Sequence, residues 1–296
     1  MKILRTADER FENLPDYDFA AHYCDVDNMR MHYVDEGPAN SPPVLLLHGE
    51  PSWSYLYRHM IPPIVSAGLR AVAPDFIGFG KSDKPTAQSD YSYEKHVTWM
   101  KSFIEQIDLR NITLFCQDWG ALIGLRLAAE NEERFDRIVL ANGTLPTGDQ
   151  APPRAFKIWR AFARFSPWFP IGRIIQFGTV ADLSSEIVAA YDAPFPGSSY
   201  KAGARAFPRL VPTTPDDPAA PANRAAWDAL VKWQKPFLTA FSDRDPIMRG
   251  FDKVFLKRVP GARDQPHTTI GNAAHFLQEE KGPQLAKIVI DFIKNQ

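Results

Sequence analysis

The sequence is short of cysteine, of long apolar runs and of any excess of one charge. Its 296 residues include two cysteines, Cys24 and Cys116, far apart and without metal-ligand spacing. That argues against a disulfide framework and fits a reducing compartment. No stretch approaches the ~18 apolar residues of a membrane span. The N-terminal MKILRTADERFENLPDYDF sets Asp8, Glu9 and Glu12 where a secretory signal needs an apolar core. A cytoplasmic protein is expected. The formal net charge is -1, and Lys and Arg are scattered rather than gathered in a run. Neither nucleic acid nor a membrane is therefore expected as a partner. Repeats and low-complexity tracts are missing as well.

What is present is an ordinary globular balance, 45% hydrophobic and 23% charged. A chain this long buries roughly three quarters of its unfolded surface, so its stability needs neither staples nor metals. Short apolar runs alternate with amphipathic stretches. YCDVDNMRMHYVDEG (23–37) reads as a hairpin, and PVLLLHG (43–49) as a buried strand ending in glycine. LRAVAPDFIGFGKSD (69–83), NITLFCQ (111–117), RIVLANG (137–143) and KPFLTAFSD (235–243) carry further strands. Helical composition fills 93–107, 119–133 and 282–295. This alternation predicts an α/β fold with a mostly parallel sheet covered on both faces. From about residue 145 to 225 it stops, and proline and aromatics punctuate short helical patches. The expected organisation is a main domain of residues 1–145 and 226–296, interrupted by a helical cap over 146–225.

In open α/β sheets, ligands sit at the carboxyl ends of the strands. Four such ends carry reactive residues: His48-Gly49-Glu50-Pro51, Asp118-Trp119-Gly120, Ser242-Asp243-Arg244-Asp245, and GNAAHF with His275. In FCQDWGAL (115–122) the small residues Cys116 and Gly120 flank Asp118, as a strained strand-to-helix elbow requires. The chain order is then nucleophile, acid, histidine, with Asp245 and His275 30 residues apart. Asp243 competes for the acid role; the proline after Asp245 favours Asp245. The backbone N–H groups of Trp119 and Glu50 are the expected oxyanion-hole donors. His48 reads as a brace for its loop and Asp75 as a turn anchor. Trp53, Trp99, Trp227 and Trp233 read as packing residues.

LLLHGEPSWSYLYRHM, PDFIGFGKSDKP, FCQDWGALIG, YDAPFPGSSYKAG and AAHFLQEE together resemble the haloalkane dehalogenases of the α/β-hydrolase superfamily. The similarity covers nearly the whole chain and is weakest over residues 146–185. It implies the α/β-hydrolase fold and hydrolysis of carbon–halogen bonds in small haloalkanes, with no cofactor or metal. A carboxylate is ionised at neutral pH without a base. Asp118 is thus expected to displace halide from an sp³ carbon and form an alkyl ester. His275 is expected to activate water against that ester, with Asp245 orienting the imidazole. Halide stabilisation falls to the indole N–H of Trp119 and to a second donor in the lid. The position after His-Gly holds Glu50, where one branch of the family has Asn. Asn142 stands where that branch would carry a glutamate. Both point to the branch that uses a lid tryptophan, with Trp159 of FKIWRAF as the expected donor and Trp168 in reserve. Phe156 and Phe162 are expected to line the substrate pocket. The partners implied are a small halogenated aliphatic substrate, water and halide, in a monomer or small homo-oligomer.

Two relatives by chemistry compete. An epoxide hydrolase shares the Asp-Trp elbow but needs lid tyrosines as acids, for which Tyr191 and Tyr200 are the candidates. A haloacetate dehalogenase needs arginines to clamp a carboxylate, for which Arg154 and Arg160 stand in the lid. A non-enzyme receptor on the same fold requires a broken triad, and none of the three positions is broken.

Overall fold

The computed structural model describes residues 1–295. Eight strands form one sheet: β1 (His22–Val26), β2 (Met29–Glu36), β3 (Pro43–Leu47), β4 (Arg70–Pro74), β5 (Ile112–Gln117), β6 (Phe135–Ala141), β7 (Phe237–Ser242) and β8 (Thr268–Ile270). Their spatial order is β8-β7-β6-β5-β3-β4-β2-β1. From β3 to β8 neighbouring strands run parallel, while β2 is antiparallel to both β4 and β1. The β1–β2 hairpin turns on Asp27 and Asn28, both at positive φ (52° and 60°). Such a two-residue turn matches the twist of its strands. The chain is the mostly parallel α/β architecture that the alternation predicts.

Burial explains the apolar runs. Val44, Leu45, Leu46 and Leu47 are each 0% exposed, because β3 is covered on both faces. Each such side chain contributes roughly 1.5–3 kcal/mol of apolar burial. Helix α1 (Ile61–Ser66) packs on α10 (Leu277–Lys294), and α2 (Tyr93–Gln106) on α3 (Trp119–Glu130). The Ser92 hydroxyl caps α2 by accepting the Lys95 N–H at 3.1 Å.

Between β6 and β7 lie α4 (Arg154–Phe165), α5 (Ile171–Phe177), α6 (Ser185–Asp192), α7 (Ala202–Leu210) and α8 (Ala220–Leu230), with no strand among the described residues. The boundary expected at residue 225 falls inside α8. That helix packs on α3 and so stays with the layer that covers the sheet. One buried cluster ties the inserted segment down. Arg58 holds Glu279 through bonds of 2.6 and 2.5 Å, and the Tyr191 hydroxyl from α6 donates to the same carboxylate at 2.5 Å. Helix α9 (Asp252–Arg258) follows β7. Among the described residues no helix is long and apolar enough to cross a membrane.

Candidate active site

The strands β3 and β5 are neighbours in the sheet, so the segments that leave them meet at its carboxyl edge. Asp118 stands between β5 and α3 with φ 51° and ψ -121°, a conformation that a non-glycine residue holds only under constraint. The constraint is visible around it. The Asp118 N–H donates to the Asn142 carbonyl at 3.1 Å, and its own carbonyl accepts from Ala121 and Leu122. A Cβ at Gly120 would overlap the Leu47 carbonyl, and one at Gly49 would meet Asp118 Oδ1 at 2.8 Å. Glycine at both positions lets the two loops close on each other.

The Glu50 N–H donates to Asp118 Oδ1 at 2.8 Å. On the other oxygen, Oδ2, His275 Nε2 stands at 3.6 Å. His275 Nδ1 is 2.7 Å from Asp245 Oδ2, and Asp245 Oδ1 accepts the Ile247 and Met248 N–H groups at 2.8 and 3.0 Å. Asp243 is turned elsewhere and accepts the Ala273 N–H at 3.3 Å. Burial raises the proton affinity of Asp245. The His275 charge, the His275 hydrogen bond and the two N–H donors outweigh it and hold the carboxyl below its usual range. Burial likewise disfavours imidazolium at His275. The Asp245 charge, the approach of the Asp118 carboxylate, the hydrogen bond with Asp245 and the Asp118 charge together push it up to about 10.

His48 is buried, with Nδ1 3.0 Å from the Gly49 carbonyl and Nε2 accepting the Phe76 N–H at 3.0 Å. Burial lowers its proton affinity, and it ties the Glu50 loop to the end of β4. Asp75 accepts from His32, the Ser54 N–H and the Lys81 N–H, an anchor for its turn. Neither side chain lines the cavity over Asp118.

That cavity is about 950 Å³ and runs from Glu50, Asp118, Trp119 and His275 outward past Phe156, Trp159 and Phe162. Trp119 is 3% exposed, held edge-on to Tyr93 and against Phe207. Among the described residues nothing accepts from its indole N–H. Trp159 stacks with Phe162 and Phe169 at 5.8 Å, and its indole acts on the Glu50 carboxyl by lowering its proton affinity. Burial, then the Asp118 charge, push Glu50 well above the ordinary carboxyl range, against the opposing pull of His275 and Trp159. Trp168 is 65% exposed at the outer rim. Trp227 packs as expected, donating to the Leu145 carbonyl at 2.8 Å, but also forms part of the cavity wall. Among the described residues no tyrosine lines the cavity. Tyr191 is fully buried and donates to Glu279.

The chain matches the α/β hydrolase fold family over residues 42–282. A haloalkane dehalogenase of Mycolicibacterium paratuberculosis is 58% identical over 297 residues, covering 99% of this chain and 98% of the other. One from Psychrobacter cryohalolentis is 57% identical over 298 residues, with the same coverage. This chain belongs to the haloalkane dehalogenases. A solved structure of a tetrameric haloalkane dehalogenase from Paraglaciecola agarilytica superposes with a TM-score of 0.91 at 37% identity, covering 97% of both chains. As a haloalkane dehalogenase the protein is a hydrolase that cleaves carbon–halogen bonds, and the epoxide reading is not favoured.

Three side chains that support this dehalogenase site carry no signal in the sequence reading, or only a branch signal. Gln117 Nε2 donates to the His275 carbonyl and lies 3.1 Å from His275 Nε2. Asn142 Nδ2 donates to Ser242 Oγ and to the Ala274 and His275 carbonyls, while its Oδ1 accepts the Ser242 N–H. Glu280 accepts the Ala274 N–H with one oxygen and the Val180 and Ala181 N–H groups with the other. It thereby links the histidine loop to the inserted segment.

Proposed function

We propose that Asp118 Oδ2 attacks the halogen-bearing carbon in line, breaking the carbon–halogen bond and releasing halide as an alkyl ester forms. Water then adds to the ester carbonyl carbon while His275 Nε2 takes its proton. Collapse of the tetrahedral species frees the alcohol and restores Asp118, and the proton leaves His275 for solvent. The Glu50 N–H on Oδ1, with the Trp119 N–H, stabilises the oxyanion. The indoles of Trp119 and Trp159 receive the halide, since N–H donors in a largely apolar cavity stabilise an anion there. Asp245 acts by orienting His275.

The observation that carries this reading is the division of the Asp118 carboxylate. Oδ1 is held by an N–H donor, and Oδ2 faces His275 across 3.6 Å. It also accounts for how one histidine serves as base. While Asp118 is charged it helps hold the imidazolium, and esterification removes that charge and releases Nε2 as an acceptor.

We read α4 to α7 as a cap that walls the cavity and α8 as part of the main layer. The two free cysteines fit a cytoplasmic location. A small homo-oligomer is the expected assembly, by likeness to the tetrameric relative.

The test is bromide release from 1-bromobutane and 1,2-dibromoethane by the wild type and by Asp118→Ala, with intact mass of His275→Phe after exposure to substrate. Bromide from the wild type alone, together with a trapped butyl adduct on His275→Phe, is the expected result. Bromide release that survives Asp118→Ala would overturn the assignment of the nucleophile.

A further inference from the structure

The near-neutral total charge hides a local imbalance. Between Asp149 and Asp182 the chain has no acidic residue, yet it carries Arg154, Lys157, Arg160, Arg164 and Arg173. The same stretch brings large apolar side chains to the surface. Phe177 is 83% exposed and Phe165 72%, and Ile158, Trp168 and Val180 are exposed with them.

The two features share one surface. The outward stripe of α4 reads Arg154, Lys157, Ile158, Ala161, Arg164 and Phe165, all exposed and spaced at helical intervals. Its opposite side, Phe156, Trp159 and Phe162, turns to the catalytic cavity. The Arg164 guanidinium lies 4.9 Å from the centroid of the Phe165 ring. A hollow of about 460 Å³ opens beside it, walled by Lys157, Arg160, Arg164 and Phe165. Ile158, Trp168, Phe177 and Val180 also line the catalytic cavity, so the apolar rim and the cavity mouth form one region.

We propose that this rim docks on an anionic lipid bilayer, with Phe165, Trp168 and Phe177 entering the interface and Lys157 and Arg164 meeting lipid phosphates. Cations interleaved with exposed aromatics suit a surface that offers negative headgroups above an acyl layer. Nucleic acid would supply the charge but leave Phe177 and Val180 in water. The bilayer also dissolves apolar halogenated molecules, so the docked mouth receives substrate from the lipid. This last step rests on the dehalogenase chemistry; the docking does not.

Docking is therefore measured without turnover. The full chain is mixed with sedimentable vesicles of phosphatidylcholine, alone or with one part in three of phosphatidylglycerol, and the pelleted fraction and tryptophan emission are read. Strong binding to the anionic vesicles, weak binding to neutral ones, a blue-shifted emission and loss of binding at high salt are expected. Lys157→Gln/Arg164→Gln lowers the partition by about fivefold for each cation removed, and Phe165→Ser weakens it with the cations intact. Unchanged thermal midpoints show that the variants fold. Equal binding to both vesicle types, or none to either, overturns the proposal. So does concentration-dependent self-association, without vesicles, that Phe165→Ser abolishes; the rim is then an interface between copies of this chain.

Discussion

His275 Nε2 lies 3.6 Å from Asp118 Oδ2, beyond the range of a strong hydrogen bond. Gln117 Nε2 stands closer to the same nitrogen, at 3.1 Å. The imidazole thus faces a carboxylate whose charge favours imidazolium and an amide N–H that favours a lone pair. Which one prevails changes along the reaction. With Asp118 ionised the proton is held up to about pH 10, and once Asp118 is an ester only Asp245 holds it. The rate of ester hydrolysis should rise with pH through a pKa below 10, while alkylation stays flat over the same range. Rapid-quench single turnovers between pH 6 and 10 separate the two steps. A pH-independent hydrolysis step would remove His275 as the base.

The same shift has a consequence for stability. The folded-state proton affinity of His275 is raised above its ordinary value of 6.5. Its stabilising contribution is complete below about pH 6.5 and fades as pH rises toward 10. The thermal midpoint of the wild type should therefore fall, relative to His275→Gln, across that window. Parallel curves for the two proteins would show that the triad charge does not contribute to folding.

Removing either halide donor should weaken bromide binding in particular. A hydrogen bond to a charged group contributes about 1.5–3 kcal/mol, which is roughly 10- to 150-fold in affinity. Trp119→Phe and Trp159→Phe should each fall in that range by equilibrium titration. Trp168→Phe, at a rim position 65% exposed, should change it less than about threefold. A larger loss at Trp168 than at Trp159 would move the second donor to the rim.

The Arg58–Glu279 pair is buried on both sides, with side chains 0% and 2% exposed. Glu279→Ala would strand the guanidinium and leave Tyr191 without its acceptor, at about 3–5 kcal/mol. A lower thermal midpoint and easier proteolysis between α5 and α7 are the expected readouts. A loss under 1 kcal/mol would mean that water replaces the carboxylate.

The strand ends were legible because they combine local patterns with a required order. Cys116 and Gly120 around Asp118, and small residues before His275, are chemical demands that a sequence states openly. What supports them is not local. Asn142 lies 100 residues from Ser242 and 133 from His275, and its place after a strand marks a branch of the family without showing that it braces the histidine loop. Gln117 reads as the last residue of a buried strand, and only the fold brings His275 onto it. Residue 225, the expected cap boundary, lies within α8 for a reason that is not local either. Helix α8 has the composition of its neighbours, and its packing on α3 is a tertiary fact.

Glu50 gives the sharpest test of the site's electrostatics. Burial and the Asp118 charge push its carboxyl well above the usual range, and Oε1 has no hydrogen-bond partner. That raised proton affinity works against a second negative charge beside Asp118 and against a carboxylate that would compete with a halide for the Trp159 indole. Glu50→Gln should then retain turnover at pH 7 within about threefold, since an amide matches the neutral acid in shape and charge. Raising the pH should ionise Glu50 in the wild type, set its carboxylate against the halide for the Trp159 N–H, and weaken bromide binding. In Glu50→Gln that alkaline weakening should shrink. Bromide titrations at pH 7 and pH 9.5 on both proteins decide the matter. A loss beyond 100-fold in Glu50→Gln at pH 7, with its thermal midpoint intact, would mean that the ionised carboxylate is the working form.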